Sequence, residues 1–292
     1  MSKASREFRC ASSGDNGHGS AVVKVVLFCG GLGLRMREAS ESVPKPMVPI
    51  GDRPLVWHVM KYYAHYGHTE FVLCLGYRGE VIKDYFLNYN EALSNDFVLS
   101  DGGRRVELLD HDIRDWRITF VDTGIHAKIG ERLQAVRQHV AGDEYFLANY
   151  GDVLTDAHLP TVVDRLRSQE KVASFLCVRP NYSFHVVELD EDENVAGVKD
   201  IARSDVWING GFFVFRQDVF DYMEVGEDLV EQPFERLIAA DQLSAFRHEG
   251  FWAPMDTLKD KQNLEMLLER GNGPWRVWVR ADEERALAED LS

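Results

Sequence analysis

Cysteine is scarce and scattered: four residues in 292, at Cys10, Cys29, Cys74 and Cys177, with no C-x-x-C pair. That spacing excludes a disulfide framework, and two of the four sit inside apolar runs, so buried free thiols in a reducing compartment are expected. No apolar run reaches the length of a membrane span. The first 20 residues lack the apolar stretch of a signal peptide, so a cytoplasmic location and no membrane contact are expected. Positive charge is also short, since 33 Lys and Arg against 48 Asp and Glu give a formal net charge of −15. A surface of that sign repels nucleic acid and anionic lipid, so no nucleic-acid partner is expected and any phosphate ligand must be met by a local cationic site. With 45% hydrophobic residues the chain can bury one large core. One main domain (22–280) is expected between an N-terminal arm (1–21), predicted to be disordered, and an acidic C-terminal tail (281–292).

What is present concentrates in residues 24–50. The continuous apolar run 25–29 predicts a strand buried on both faces of a parallel sheet. It leads into Gly30-Gly31-Leu32-Gly33-Leu34-Arg35. Gly30, Gly31 and Gly33 let backbone N–H groups approach an anion, and Arg35 offers a fork for phosphate oxygens. Pro44-Lys45-Pro46-Met47 then presents Lys45, a second cation, between two rigid residues. A Walker loop would end in Gly-Lys-Ser/Thr, where this chain has Gly33-Leu34-Arg35. A dinucleotide fingerprint needs a third glycine where Met36 stands, and the ribose-binding acid is missing around Arg53. The plain alternative is a tight turn after a strand; Arg35 and the Pro-Lys-Pro clamp argue against it.

The run GGLGLRMRE…PKPMVPIGDRPLVWHVMKYYAHYG resembles the signature of the sugar-phosphate nucleotidylyltransferases, and within them is most similar to the glucose-1-phosphate cytidylyltransferases. The likeness covers residues 22–278, and GYRGEVIKDYFLNY is another shared segment.

Along the rest of the chain, Leu55, His58, Val59 and Tyr62 predict an amphipathic helix after Pro54, with His58 a satisfied core histidine. A strand over 71–75, a glycine turn and a helix through Val81, Ile82, Tyr85 and Phe86 repeat the first strand–helix unit. The expected fold is therefore α/β, a doubly wound, mostly parallel, Rossmann-like sheet flanked by helices. Further strands are predicted over 118–121, 145–150, 172–178 and 243–248, and helices over 130–140, 231–240 and 259–270. The strand 145–150 ends in Gly151-Asp152, which puts a carboxylate at the carboxyl edge of the sheet, where open α/β folds bind ligands. Asp152 is read as a magnesium (Mg2+) ligand, the alternative being a turn residue. Asn209, before Gly210-Gly211, is read as an amide for sugar hydroxyls or as a plain turn residue.

The resemblance implies more. Asp256 matches the family's second metal-binding aspartate, and a small additional β-rich region would bind the sugar. Three segments depart from the relatives. Val153 replaces the glycine after Gly-Asp; Ser183-Phe184-His185 stands where an Arg-Phe-Gly run is usual; Val198-Lys199-Asp200 stands where Glu-Lys-Pro is usual, so Lys199 takes the lysine's part only after a register shift. His185 is assigned to the sugar phosphate with a surface or packing role as the alternative.

The implied partners are a nucleoside triphosphate, CTP by resemblance, and a sugar 1-phosphate, with homo-oligomeric assembly. The glycine loop and Arg35 would hold the triphosphate and Lys45 the α-phosphate. Asp152 and Asp256 would hold Mg2+, and Asn209, Lys199 and His185 the sugar phosphate. The same chemistry on another nucleotide or on an unusual sugar or cyclitol phosphate is one alternative. A non-catalytic sugar-nucleotide-binding homologue is the other.

Overall fold

The apolar run after Val23 forms β1 (Lys24–Phe28), and its residues feed two cores because successive side chains leave a strand on opposite faces. In the computed structural model, which describes residues 22–31, 43–181, 184–271 and 273–279, Val25, Leu27 and Cys29 enter one core and Val26 and Phe28 the other. Leu27 is fully buried; its replacement by alanine is expected to cost about 2–5 kcal/mol. The arm 1–21, the tail 281–292, Gly33, Arg35 and Cys10 lie outside the described residues.

Seven further strands complete the sheet: β2 (Glu70–Leu75), β3 (Arg117–Asp122), β4 (Tyr145–Tyr150), β5 (Ala173–Val178), β6 (Ile208–Asn209), β7 (Phe213–Arg216) and β8 (Leu243–His248). The order is β3-β2-β1-β4-β7-β5-β8, with the two-residue β6 sharing the β7 edge of β5. Strands β3, β2, β1 and β4 are mutually parallel and β7 runs against both β4 and β5. The sheet is thus mixed but mostly parallel, as the repeated strand–helix units predict. The stretch 207–215 is not one strand: it kinks between β6 and β7, where Phe212 takes a φ of 51°.

Helices cover both faces. The first core is closed by α1 (Leu55–His65), α2 (Gly79–Leu87), α4 (Leu159–Gln169) and α6 (Leu258–Glu269); the second by α3 (Ile129–Ala135) and α5 (Gln232–Ala239). The expected helix 130–140 breaks at the buried Val136, whose N–H bonds Leu133 three residues back, and resumes over Arg137–Val140. His58 is the core histidine expected, held between the Ile50 carbonyl at 3.0 Å and the indole N–H of Trp275 at 3.3 Å. Cys29, Cys74 and Cys177 are buried free thiols, and burial pushes the Cys74 thiol up to about 12. Among the described residues no helix is long and apolar enough to cross a membrane.

Among the described residues four two-stranded antiparallel pairs lie outside the sheet, and the two longer ones are ribbons. One pairs Phe97–Ser100 with Arg105–Leu108, and the other pairs His185–Leu189 with Val195–Asp200. The second carries His185 and Lys199.

Candidate active site

The strand order reverses direction at β1, with β2 on one side and β4 on the other. The crevice above the carboxyl ends of two such strands is where open α/β sheets take ligands. Here β1 delivers Gly30 and Gly31, and β4 delivers Tyr150 and Asp152, to a cleft of about 540 Å³.

Lys45 reaches the same cleft from a single turn of 3-10 helix, Lys45–Met47, which follows Pro44 and contains Pro46. The turn closes through Met47 N to Pro44 O at 2.8 Å and Val48 N to Lys45 O at 3.1 Å. Gly151 is tightly packed beside it: a Cβ there would stand 2.9 Å from Cys29 Sγ and 3.3 Å from the Phe28 carbonyl oxygen, so a side chain at this position would crowd the end of β1.

Asp256 arrives by a third route. Val153–Thr155 pairs antiparallel with Trp252–Pro254, and Met255 N donates to Asp152 O at 3.0 Å, so Asp256 is fixed beside Asp152. Val153, the departure from the relatives' glycine, is thereby a buried β-branched strand residue rather than part of a pliable loop. Asp256 lies just before α6, whose start is closed by a capping box between Thr257 and Asp260.

The three side chains meet. Lys45 Nζ stands 2.6 Å from Asp152 Oδ2 and 2.5 Å from Asp256 Oδ1. Burial works against the ammonium, but the two carboxylates outweigh it and hold the lysine above its ordinary range. Two carboxylates aimed at one point, in a cleft wide enough for waters and phosphate oxygens, suit Mg2+, which takes one or two protein carboxylates and keeps other oxygen ligands. Among the described residues no group of three His, Cys, Asp or Glu side chains is placed to hold a metal by itself.

A residue absent from the sequence reading underlies the cleft. Arg132, on α3, is buried and donates to the Leu75 carbonyl at 3.2 Å, Thr123 Oγ1 at 2.7 Å, the Gly30 carbonyl at 3.1 Å and the Ile125 carbonyl at 3.4 Å. It ties the ends of β1, β2 and β3 together. Those partners are neutral oxygens, and among the described residues Arg132 makes no ion pair within 4.0 Å. Burial draws its guanidinium below the usual arginine range. A Cβ on Gly30 would stand 1.9 Å from Arg132 Nη1, so this glycine is required for close approach. One signal was available in the sequence: Arg132 lies in the stripe of Leu133, Val136 and Val140, where a charge is out of place. Lys128, Tyr150 and Asp228 also line the cleft.

The remaining expected residues lie further out. Asn209 is half-buried, accepts from Gly211 N at 2.9 Å and sits 3.4 Å from the Tyr150 hydroxyl, one residue removed from the cleft. His185 and Lys199 are on the exposed ribbon, outside the cleft lining, with Lys199 paired to Glu188. The structure does not bring these two together with Lys45, Asp152 and Asp256.

Comparison with known proteins agrees with this geometry. A family model described as nucleotidyl transferase matches residues 24–260. The glucose-1-phosphate cytidylyltransferase of Salmonella typhi is 38% identical over 88% of this chain and 100% of its own. A probable glucose-1-phosphate cytidylyltransferase of Bacillus subtilis is 36% identical over the same shares. Among solved structures, the UTP-bound UGPase of Acinetobacter baumannii superposes with a TM-score of 0.64 at 18% identity, covering 93% of this chain and 100% of that one, and shares the fold. With the family model spanning most of the sequence and the ends of β1 and β4 converging on one cleft, the chain belongs to the nucleotidyl transferase family.

Proposed function

We propose that this protein transfers a cytidylyl group from CTP to glucose 1-phosphate, releasing pyrophosphate and forming CDP-glucose. The observation that carries the reading is Lys45 bracketed by Asp152 and Asp256 above β1 and β4; the similarity to cytidylyltransferases supplies base and sugar.

In this reaction a phosphate oxygen of the sugar phosphate attacks the α-phosphorus. The bond from that phosphorus to the bridging oxygen breaks, and pyrophosphate leaves on the far side. Both reactants are anions, so positioning and charge neutralisation govern the barrier and no protein nucleophile is needed. Gly30 and Gly31, with Gly33 and Arg35, take the triphosphate. Lys45 turns its ammonium to the charge that builds on the α-phosphate. Arg132 adds a buried positive charge beneath the phosphates and fixes the Gly30 carbonyl. Asp152 and Asp256 would hold Mg2+, which when bound neutralises phosphate oxygens. Asn209 would orient the sugar from the cleft edge, a role supported by its bond to Tyr150. Lys199 and His185 are given no part in the cleft of their own chain. A homo-oligomer in the cytoplasm completes the reading.

The test is pyrophosphate release from CTP, UTP, dTTP, ATP and GTP against a panel of sugar 1-phosphates. CTP with glucose 1-phosphate should give the highest kcat/KM. Turnover confined to another pair would move the substrate assignment, and no turnover with any pair would remove the enzymatic reading.

A further inference from the structure

Beyond the cleft, the carboxyl rim of the sheet carries a second group of side chains. Arg179 follows the last residue of β5, Arg247 is the last residue but one of β8, and Trp207 immediately precedes β6. Register fixes which way they point. Cys177 pairs with Asn209 on β6 and with Arg247 on β8, so those three side chains leave the sheet on one face. Arg179 is two residues after Cys177 and Trp207 two residues before Asn209, which puts both on that same face.

The two arginines stack on one indole. The guanidinium carbon of Arg179 lies 4.7 Å from the Trp207 ring centre and that of Arg247 5.1 Å from it. Stacking engages the flat face of a guanidinium and leaves its N–H edge for hydrogen bonds. Arg179 donates from that edge to the Ser204 carbonyl. Among the described residues the Arg247 side chain makes no hydrogen bond, and neither arginine has a carboxylate within 4.0 Å. The neighbouring acids do not cancel the charge: Asp205 and Glu249 are exposed and form no ion pair among the described residues. Asp205 acts on Lys199, whose ammonium is held up by Glu188 first and by Asp205 after it. Other arginines of this acid-rich chain do find carboxylates, Arg216 on Glu144 and Arg236 on Glu227.

The stack adjoins the cleft on its Asn209 side. Asn209 bonds the hydroxyl of Tyr150, a lining residue, at 3.4 Å, and Trp207 stands two residues, roughly 7 Å, further toward the rim. Open α/β sheets bind above the carboxyl ends of their strands, so a ligand seated at Asn209 brings its outer end to Trp207. Two guanidinium edges there, in a chain of net charge −15, suit an oxyanion that accepts in pairs.

We propose that Arg179, Trp207 and Arg247 form an acceptor subsite that takes a second anionic group, a phosphate or a carboxylate, carried by the sugar 1-phosphate at the end remote from its anomeric carbon. This rests on the nucleotidyl-transfer reading above and on Asn209 facing the sugar. It refines the acceptor: among sugars with no second charge glucose 1-phosphate keeps its place, and a derivative of it with an oxyanion at the outer end binds more tightly.

The experiment compares glucose 1-phosphate, glucose 1,6-bisphosphate and glucuronic acid 1-phosphate as acceptors with CTP, using the full chain. KM for at least one doubly charged acceptor should lie about tenfold below that for glucose 1-phosphate, the worth of a hydrogen-bonded charge pair. Arg247→Gln and Arg179→Gln should each bring that ratio back toward one, and Arg247→Lys, which keeps the charge without the fork, should retain part of it. Circular dichroism checks that each variant is folded. Equal KM for all three acceptors, or a preference that survives both glutamine variants, overturns the subsite. Calorimetric titration of the three sugars with CTP present and the metal withheld reads the same ratio without turnover. A preference seen there and lost in the variants, with no pyrophosphate released from any pair, would overturn the reaction and keep the subsite.

Discussion

Asp152 and Asp256 share one ammonium: their carboxylate oxygens lie 2.6 and 2.5 Å from Lys45 Nζ, although one follows β4 and the other precedes α6. Without a cation between them the two carboxylates would repel. The lysine is therefore a counter-ion for the acids, held in the cleft at the switch point of the sheet.

Lys45→Ala should lower the rate of pyrophosphorolysis by about two orders of magnitude or more, the usual cost of losing one transition-state charge contact. Lys45→Arg should restore little of it, since a planar fork does not fit where a compact ammonium stands between two carboxylates. The measurement is a single-turnover rate at saturating substrates. A rate for the alanine variant near that of the unaltered enzyme removes Lys45 from the chemistry.

Asp152→Asn and Asp256→Asn should each move the midpoint of the magnesium titration of activity upward, because a neutral amide is a weaker ligand for a hard cation. Isothermal titration of the ion into the protein with nucleotide present gives a second readout. An unchanged midpoint in either variant excludes that residue as a ligand.

Gly30 and Gly31 are neighbours with opposite tolerance. A Cβ on Gly31 meets nothing within 4 Å, whereas one on Gly30 collides with the buried Arg132 guanidinium. Gly31→Ala should keep the melting temperature and raise KM for the nucleotide. Gly30→Ala should lower the melting temperature by several degrees as well, since Arg132 must give up its bonds to the strand ends. Equal stability of the two variants would contradict the arrangement of Arg132.

His58 gives a pH signature. Burial, opposed by its bond to the Ile50 carbonyl, takes the imidazole down to about 4. Below the ordinary histidine value near 6.5 the unfolded chain binds a proton that the folded chain refuses, so stability falls as pH drops from about 6.5 to about 4. The loss amounts to about 3 kcal/mol at the acid end. His58→Gln should flatten this part of the urea midpoint against pH, leaving the similar contribution of His68, also taken down to about 4. A slope identical to that of the unaltered protein would contradict it.

Much of the frame was legible in the sequence because its signals are local. The uninterrupted run before Gly30 reads as a buried parallel strand, the spacing of Leu55, Val59 and Tyr62 as a helix, and Gly151-Asp152 as the end of a strand. Lys45 was visible because two prolines flank it. Arg132 showed only as a charge in the apolar stripe of Leu133, Val136 and Val140; its partners, three carbonyls and the Thr123 hydroxyl around the ends of β1, β2 and β3, form a junction that no short motif encodes. Lys199 and His185 came from aligning a departed segment with its relatives, and their ribbon carries them away from the cleft. The exposure of the first ribbon was equally hidden: Phe97, Val98 and Leu99 are a continuous apolar run, the pattern of a buried strand, yet all three are exposed.

The contact between Trp275 and His58 has a consequence for the order in which the protein matures. His58 bonds Ile50, which lies a few residues beyond the turn that presents Lys45, so an indole from near position 275 braces the segment that holds the lysine. During synthesis from the amino end, a ribosome-bound chain can form β1 and α1 long before that indole emerges. The corner that presents Lys45 would therefore stay loosely set until Trp275 arrives to brace it.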